Sequence, residues 1–488
     1  MTRAVALAAA LVAMVLLTRA PFAAQTLWAH DSALYAAALE RGFHVDDDPS
    51  QQRPHPPGYL FFVATAAVAR AAGAGSNAAL VGVAELASAL AAAALFLVAR
   101  RWMRDAVAFI VGLAFAANPL VWQYSEIAYP YTTLALASVV IAAAFLFTRH
   151  RGTRAAILAS IVFGIAAGFR QDVLLLFAPL WVWSIAPLGW RRGAAAAGAL
   201  VGACLLWLTP SAIFSGGPLE YLTALGAQVS YVRATYSIEM RGLPALIANI
   251  AATAWAMGWG LTTVAPLAAG TFVSILRRPI RGDALFFLLW TVPPLAVYVA
   301  LHIGDWGYVL SVLPALYLLG GRALESLVSA AAADRGVTPR RLALAAGWSA
   351  LVAIPGLAFV FGTLPFGASA IATHDAELAA RVAFVRDQFE PHSTLILTRE
   401  DFLLVRYYLP EFRARQYDPE PFTRASRRMR TGRVERIVVF TPGLVPDQLR
   451  DVRSAKCGGG IELVYLDVQP GAVLEFRGER YAIASPAP

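Results

Sequence analysis

Charge, lysine and cysteine are scarce in this chain, and each scarcity excludes something. Only 15% of the 488 residues are charged, against 58% hydrophobic. That is too little charge to cover a soluble globule. Lys456 is the sole lysine, so almost every positive charge is arginine. The two cysteines, Cys204 in an apolar run and Cys457 in the tail, are not placed for a structural disulfide. No glycine-rich phosphate loop, internal repeat, low-complexity segment or heptad pattern occurs. The net charge of +9 invites a nucleic-acid reading. Its excess arginine, however, sits in short loops between apolar runs, where orientation in a membrane requires it. Nucleic acid is therefore excluded as a partner.

What is abundant is apolar sequence in runs of about 18 residues or more, the length that crosses a bilayer as a helix. These runs predict a mostly α fold, a polytopic membrane bundle of about eleven transmembrane helices with a small α/β C-terminal domain. The expected spans are 4–20, 78–99, 106–124, 132–148, 155–169, 173–187, 194–213, 253–276, 284–302, 308–322 and 342–362. Arg3 and five clusters then share one side, the cytoplasmic one: Arg100, Arg101 and Arg104; Arg149, Arg151 and Arg154; Arg191 and Arg192; Arg277, Arg278 and Arg281; Arg335, Arg340 and Arg341. The segment from Ala4 to Leu17 has the build of a signal peptide. Polar residues begin right after it, so it reads as an uncleaved first span. Gly58 to Ala69 is apolar, but about twelve residues cannot cross about 30 Å of hydrocarbon. It is expected as a re-entrant or interfacial helix on the outer face.

The outer loops are then 21–77, 122–131, 170–172, 215–252 and 302–306. Residues 1–363 are expected as the membrane domain and 364–488 as a soluble, extracytoplasmic one. In the tail, Ser393 to Thr398, Arg436 to Thr441, Ile461 to Val468 and Val473 to Phe476 read as strands. Asp375 to Phe389 reads as an amphipathic helix. The whole describes a multi-pass protein of a bacterial inner membrane.

The first outer loop carries an unusual polar load: His30, Asp31, Tyr35, Glu40, Arg41, His44, Asp46, Asp47, Asp48, Arg53 and His55. Asp31 precedes a short amphipathic stretch, Ser32 to Leu39, which would hold its carboxylate at the bilayer rim. Asp31 and Ser32 also suit the start of that helix as caps. In His55-Pro56-Pro57-Gly58-Tyr59 the prolines fix an extended turn and Gly58 permits close backbone approach; the same residues also serve as a helix start. His44 with Asp46 to Asp48 has donors for a divalent cation, though three consecutive carboxylates cannot all face one ion, and a solvated acidic loop fits better. Beyond the third span stand Glu126, Tyr129 and Tyr131. Arg170 and Asp172 form a tight turn, where Arg170 suits a lipid phosphate or an ion pair with Asp172 or Glu126. The stretch from His302 to Tyr308, with Asp305, reads as an outer patch or as an interfacial aromatic belt. Tyr221, Tyr231, Arg233, Tyr236 and Arg241 suit a second surface helix covering a cavity. All of these candidates lie at the outer ends of spans and none within a helix centre.

On these residues the chain resembles the GT-C superfamily of integral-membrane glycosyltransferases, in particular the branch of protein O-mannosyltransferases and aminoarabinose transferases. Four features match in order: Asp31 early in the first loop; His55-Pro56-Pro57; Glu126 through Tyr131; and Gly168-Phe169-Arg170. Tyr308 to Pro314 is similar to the family's late motif. The likeness covers roughly residues 1–320. Two departures stand out. Many members carry Asp-Glu at the first motif, whereas Ser32 follows Asp31 here, which weakens a two-carboxylate or metal-assisted mechanism. Some relatives place a lysine at the donor phosphate, and this region has none, so Arg170 or Arg53 would serve.

The resemblance implies transfer of a sugar from a polyprenyl-phosphate donor to a lipid, glycan or protein acceptor among the membrane lipids, with inversion and with Asp31 as general base. It further implies that Arg170, Arg53, His55, Tyr59, Glu126, Tyr129, Asp172, Asp305 and Tyr308 bind the donor phosphate or substrate. No nucleotide is required, and a divalent cation is the open case among cofactors. A transporter or flippase for an amphipathic substrate, or a scaffold displaying the tail, are the rival readings.

Overall fold

The computed structural model of the chain describes residues 2–47, 52–276, 282–333, 338–416, 428–430, 433–441, 453–457, 461–469, 473–477 and 480–484. Asp48, Arg277, Arg278, Arg281 and Arg335 lie outside the described residues, as do the side chains of Arg340 and Arg341. Two compact units emerge: residues 1–24, 38–47 and 54–371 form the first, and 25–37, 48–53 and 372–488 the second.

The first unit is helical. Its elements begin with α1 (Thr2–Arg19), the end of α2 (His30–Arg41), α3 (Leu60–Ala71), α4 (Ser76–Ala99), α5 (Asp105–Ala116) and α6 (Pro119–Glu126). There follow α7 (Tyr131–Thr148), α8 (Thr153–Phe169), α9 (Val173–Ile185), α10 (Trp190–Phe214) and α11 (Pro218–Tyr236). The last are α12 (Ile238–Leu261), α13 (Ala265–Leu276), α14 (Gly282–Ala300), α15 (Leu313–Ala333) and α16 (Thr338–Phe361). The centre is α4, packed against α1, α3, α5 and α7. It is largely alanine, and small residues let neighbouring backbones approach closely.

Every expected span is helical, but not every one is a single helix. Among the described residues four helices are long and apolar enough to cross a membrane (α4, α7, α10 and most of α14), or up to six if each of two bent pairs is one span. The segment expected at 106–124 is divided into α5 and α6, bent by 60°. Asn118 causes the break: its side chain accepts from Leu120 N and Val121 N, and Pro119 opens the new helix. The Asn118 amide also donates to Trp259 O and Gly260 O, filling carbonyls left over at the end of α12. The segment expected at 253–276 is likewise broken, by 106° between α12 and α13. Two expected loops are instead mostly helix: 122–131 contains the end of α6, and 215–252 is filled by α11 and the start of α12. The apolar stretch after Gly58 is α3, whose twelve residues rise only about 18 Å.

The second unit contains most of α17 (Ala368–Gln388), α18 (Phe402–Tyr408) and two small sheets. The strands are β1 (Thr394–Thr398), β2 (Arg413–Gln416), β3 (Arg428–Arg430), β4 (Arg436–Val439), β5 (Arg453–Lys456), β6 (Glu462–Asp467), β7 (Val473–Arg477) and β8 (Arg480–Ala484). The larger sheet runs β2-β1-β4-β6-β5, and β3-β7-β8 form the other. Strand β1 lies parallel to both its neighbours and is buried throughout, as a central strand covered on both faces must be. Residues 25–37 are anchored within this unit. The Asp375 carboxylate accepts from Gln25 N at 2.8 Å and Thr26 N at 2.9 Å, and Leu27 N donates to Tyr408 Oη at 2.9 Å. Burial opposes ionisation of Asp375, yet bonds from His374, Thr26 and the two amides prevail and hold its carboxyl below the usual carboxylate range.

Candidate functional site: a buried arginine in a tyrosine cage

Arg170 leaves the end of α8 in an extended conformation, and the turn Arg170-Gln171-Asp172 leads directly into α9. The arginine is 2% exposed. A guanidinium so deep needs compensation from its surroundings. Three tyrosine rings supply part of it, with centroids at 5.1 Å (Tyr59), 4.5 Å (Tyr131) and 4.9 Å (Tyr308). Asp172 supplies the rest, accepting from Nη2 at 2.9 Å and from Nε at 3.2 Å. Of the alternatives open for Arg170, the structure contains the pair with Asp172 and not the pair with Glu126.

Each wall of the cage has a local cause. Tyr59 follows Gly58, whose φ is +90° and whose Cβ, if present, would stand 2.5 Å from Val45 Cγ2. Tyr59 itself adopts the left-handed region at φ 49°. The Pro56-Pro57 peptide is cis, and the Tyr221 hydroxyl donates to Pro57 O at 3.2 Å. His55 Nδ1 lies 2.8 Å from Pro56 O, and its ring meets Tyr59 edge-on. Tyr131 opens α7, with Gly307 flat against its ring; any side chain at 307 would overlap that ring. Asp305 caps the 3-10 turn 306–311 through Gly307 N and accepts the Tyr124 hydroxyl, which presents Tyr308 to Arg170. Tyr129 stacks on Tyr131 at 5.6 Å. Behind them Trp290, Ser138, Ser311 and Tyr298 form a buried hydrogen-bonded chain. Arg170, His55, Tyr59, Tyr129, Asp172, Asp305 and Tyr308 are thus brought together, although Asp305 meets tyrosine and backbone rather than the guanidinium.

His302 was visible only as part of a patch. Its ring sits between Tyr236 at 4.4 Å and Tyr308 at 5.5 Å. Nδ1 is buried without a hydrogen-bond partner among the described residues. Burial, reinforced by the positive charge of Arg170, pushes its pKa down to about 4, so the ring is neutral at physiological pH.

Glu126 occupies a different setting. It is fully buried, with Arg19 Nε 3.7 Å from its Oε1. Arg19 donates to Ala116 O at 2.6 Å and lies 4.3 Å over the Trp122 ring. Glu85, well inside α4, also interacts with both. Glu85 was not among the candidates read from the sequence; an acid alone in a long apolar run was the signal for it. Removing one partner of a buried pair typically costs about 3–5 kcal/mol, because the other charge is stranded. Arg19→Met is therefore expected to lower the thermal midpoint of the purified protein, and Arg19→Met/Glu126→Met to recover at least half the loss. A neutral single variant would show that the pair is not structural.

Asp31 and Arg53 belong to the second unit. Asp31 lies in the first turn of α2, with His30 Nε2 3.2 Å from its Oδ1. The stretch expected as a surface helix, Ser32 to Leu39, is part of this α2, but residues 32–38 are buried, and the helix starts at His30, so neither Asp31 nor Ser32 is its cap. Arg53 is half-buried. No group of three or more His, Cys, Asp or Glu is placed to hold a metal ion among the described residues.

No protein-family model matches the chain, and no curated protein matches it. Solved structures do. ArnT from Cupriavidus metallidurans bound to undecaprenyl phosphate superposes with a TM-score of 0.59 at 16% identity, covering 96% of this chain and 97% of that one. The same ArnT in the apo state gives a TM-score of 0.58 at 16% identity, covering 95% and 98%. The archaeal oligosaccharyltransferase AglB from Archaeoglobus fulgidus, in complex with an inhibitory peptide and a dolichol-phosphate, gives 0.52 at 12% identity, covering 88% of this chain and 69% of that one. At these identities the likeness establishes the fold.

Proposed function

From a chain with the fold of the GT-C membrane glycosyltransferases, we propose a membrane enzyme that transfers a sugar from a polyprenyl-phosphate donor to an acceptor on the extracytoplasmic face. The observation that carries this reading is Arg170, a cation held 2% exposed by three tyrosines at the turn between two apolar helices. Such a group suits a phosphate at the end of a lipid. Two of the solved neighbours hold a polyprenyl or dolichol phosphate, and one also a peptide, which supports this donor class and a glycan or protein acceptor.

In the proposed step, an acceptor hydroxyl or amine attacks the anomeric carbon in line. The new bond forms to the acceptor heteroatom as the bond from the anomeric carbon to the phosphate oxygen breaks. The electron pair leaves with polyprenyl phosphate, and configuration inverts. Asp31 takes the acceptor's proton. Arg170 stabilises the charge that grows on the phosphate, with Arg53 the second candidate. Tyr59, Tyr131 and Tyr308 hold the guanidinium in place. The protein is proposed to sit in a bacterial inner membrane, with the second unit as the acceptor-binding part on the extracytoplasmic face.

A transport role is the second reading, favoured by Glu85 within α4 beside Arg19 and Glu126. The test is a panel of radiolabelled undecaprenyl-phosphate sugars, incubated with sealed membrane vesicles containing the protein. The enzyme reading expects label to leave the donor lipid with release of undecaprenyl phosphate. Intact donor throughout, together with label crossing the vesicle membrane, would replace it with transport.

A further inference from the structure

The anion in contact with Arg170 belongs to the protein, and this arrangement has a consequence for the lipid phosphate that the proposed reaction releases. Tyrosine rings close the faces of the guanidinium, and Asp172 is its one ion-pair partner among the described residues. Arg170 is 2% exposed and Asp172 26% exposed. The carboxylate therefore forms the accessible lip of the site. A phosphate that reaches Arg170 does so beside Asp172.

Resting on the glycosyl-transfer reading above, we propose that Asp172 discriminates between lipid phosphates by charge, admitting the phosphodiester donor and expelling the phosphomonoester product. The donor is a diester and carries one negative charge. Transfer breaks the bond from the anomeric carbon to the phosphate oxygen, and the electron pair stays on the phosphate. The product is a monoester, whose second ionisation falls near pH 6, so it carries about −1.5 to −2 at neutral pH. Arg170 offers one positive charge to be shared. With Asp172 beside it, a singly charged ligand meets a modest repulsion and a doubly charged one about twice as much. The site is deep enough for that difference to survive screening.

Among the described residues, Arg170 is the one arginine or lysine facing Asp172. Its neighbours are Arg170 at the end of α8, Tyr298 from α14, Tyr308 in the 3-10 turn and His302 before it. The tyrosines are neutral at physiological pH, and His302 is held neutral as well, so Arg170 is the permanent cation of the site among the described residues. Without Asp172 the product would be the better ligand and would clog the enzyme.

Asp172 is thereby a selectivity residue that acts through Arg170, and its signature is a ratio of affinities. Purified full-length protein in nanodiscs would be titrated with two probes sharing one lipid: undecaprenyl phosphate and undecaprenyl methyl phosphate, a diester. Asp172→Asn is expected to tighten the monoester by about tenfold and the diester by less than about threefold. Asp172→Glu, which restores the charge, should return the ratio to that of the wild type. Equal shifts for both probes, or none, would overturn the proposal. Arg170→Gln separates the two levels of the argument. If it weakens both probes while Asp172→Asn moves them equally, the phosphate seat stands and the discrimination falls. If Arg170→Gln binds both probes as the wild type does, the phosphate seat falls and the discrimination with it.

Discussion

Asp31→Asn is expected to lower sugar transfer by about 10²–10⁴-fold, the usual contribution of a positioned general base. The substitution keeps the size and shape of the side chain and removes only its ability to take a proton. It also isolates the other role of the residue. Asp31 lies in the first turn of α2, inside the helix and past its start, where losing a carboxylate near the positive helix end costs about 0.3–1 kcal/mol. A residue that served only the helix end would therefore lower the thermal midpoint slightly on substitution and leave the activity nearly unchanged. The measurement is initial transfer rate and thermal midpoint on the same purified preparations. Transfer that disappears from a protein of nearly unaltered stability assigns the base. Equal transfer by the two proteins removes Asp31 from the chemistry.

The second large effect is expected from Arg170→Lys. Charge is conserved, so a site that needed only a nearby cation would tolerate it. The cage is built for a planar group, however. Three rings lie within 5.1 Å of Cζ, and Asp172 accepts from two of its nitrogens. An ammonium has neither the plane nor the fork. It would leave space under the rings and hold the phosphate at one point. A loss of about 10²–10³-fold in kcat is expected, the scale seen when one preorganised charge-stabilising donor is removed. A lysine variant with more than a tenth of wild-type kcat would show that the geometry of the cage is dispensable.

The legible part of this protein follows from local pattern. Four strands were visible because β1, β4, β6 and β7 are rich in branched apolar residues. Strands β2 and β5 were not. They read Arg-Ala-Arg-Gln and Arg-Ser-Ala-Lys and stand at the two edges of the sheet, β2 mostly half-buried and β5 mostly exposed. An edge strand pairs on one side only and carries charge there without penalty, so hydrophobic alternation is absent. The broken spans were hidden for another reason. Hydropathy measures whether a stretch is apolar and is blind to the bend that Asn118-Pro119 introduces, or to the break between α12 and α13.

The site shows the same division. Arg170 and Asp172 are close in sequence, so their pairing was among the readings open beforehand. The tyrosines that enclose them come from the turn before α3, from α7 and from the turn before α15, and no spacing rule connects those segments. Glu126 shows the limit most sharply. Its place at the end of an apolar run suited a substrate contact, and the structure gives it Arg19 instead.

The sequence alone determined that this chain builds apolar helices and carries a separate β-containing tail. Hydrocarbon cannot hydrogen-bond a bare backbone, so runs of that length and composition have few alternatives. Only the tertiary structure decided which charge neutralises which. Coulomb attraction depends on separation in space and on the loss of water around the pair, and neither quantity is written in the order of residues along the chain.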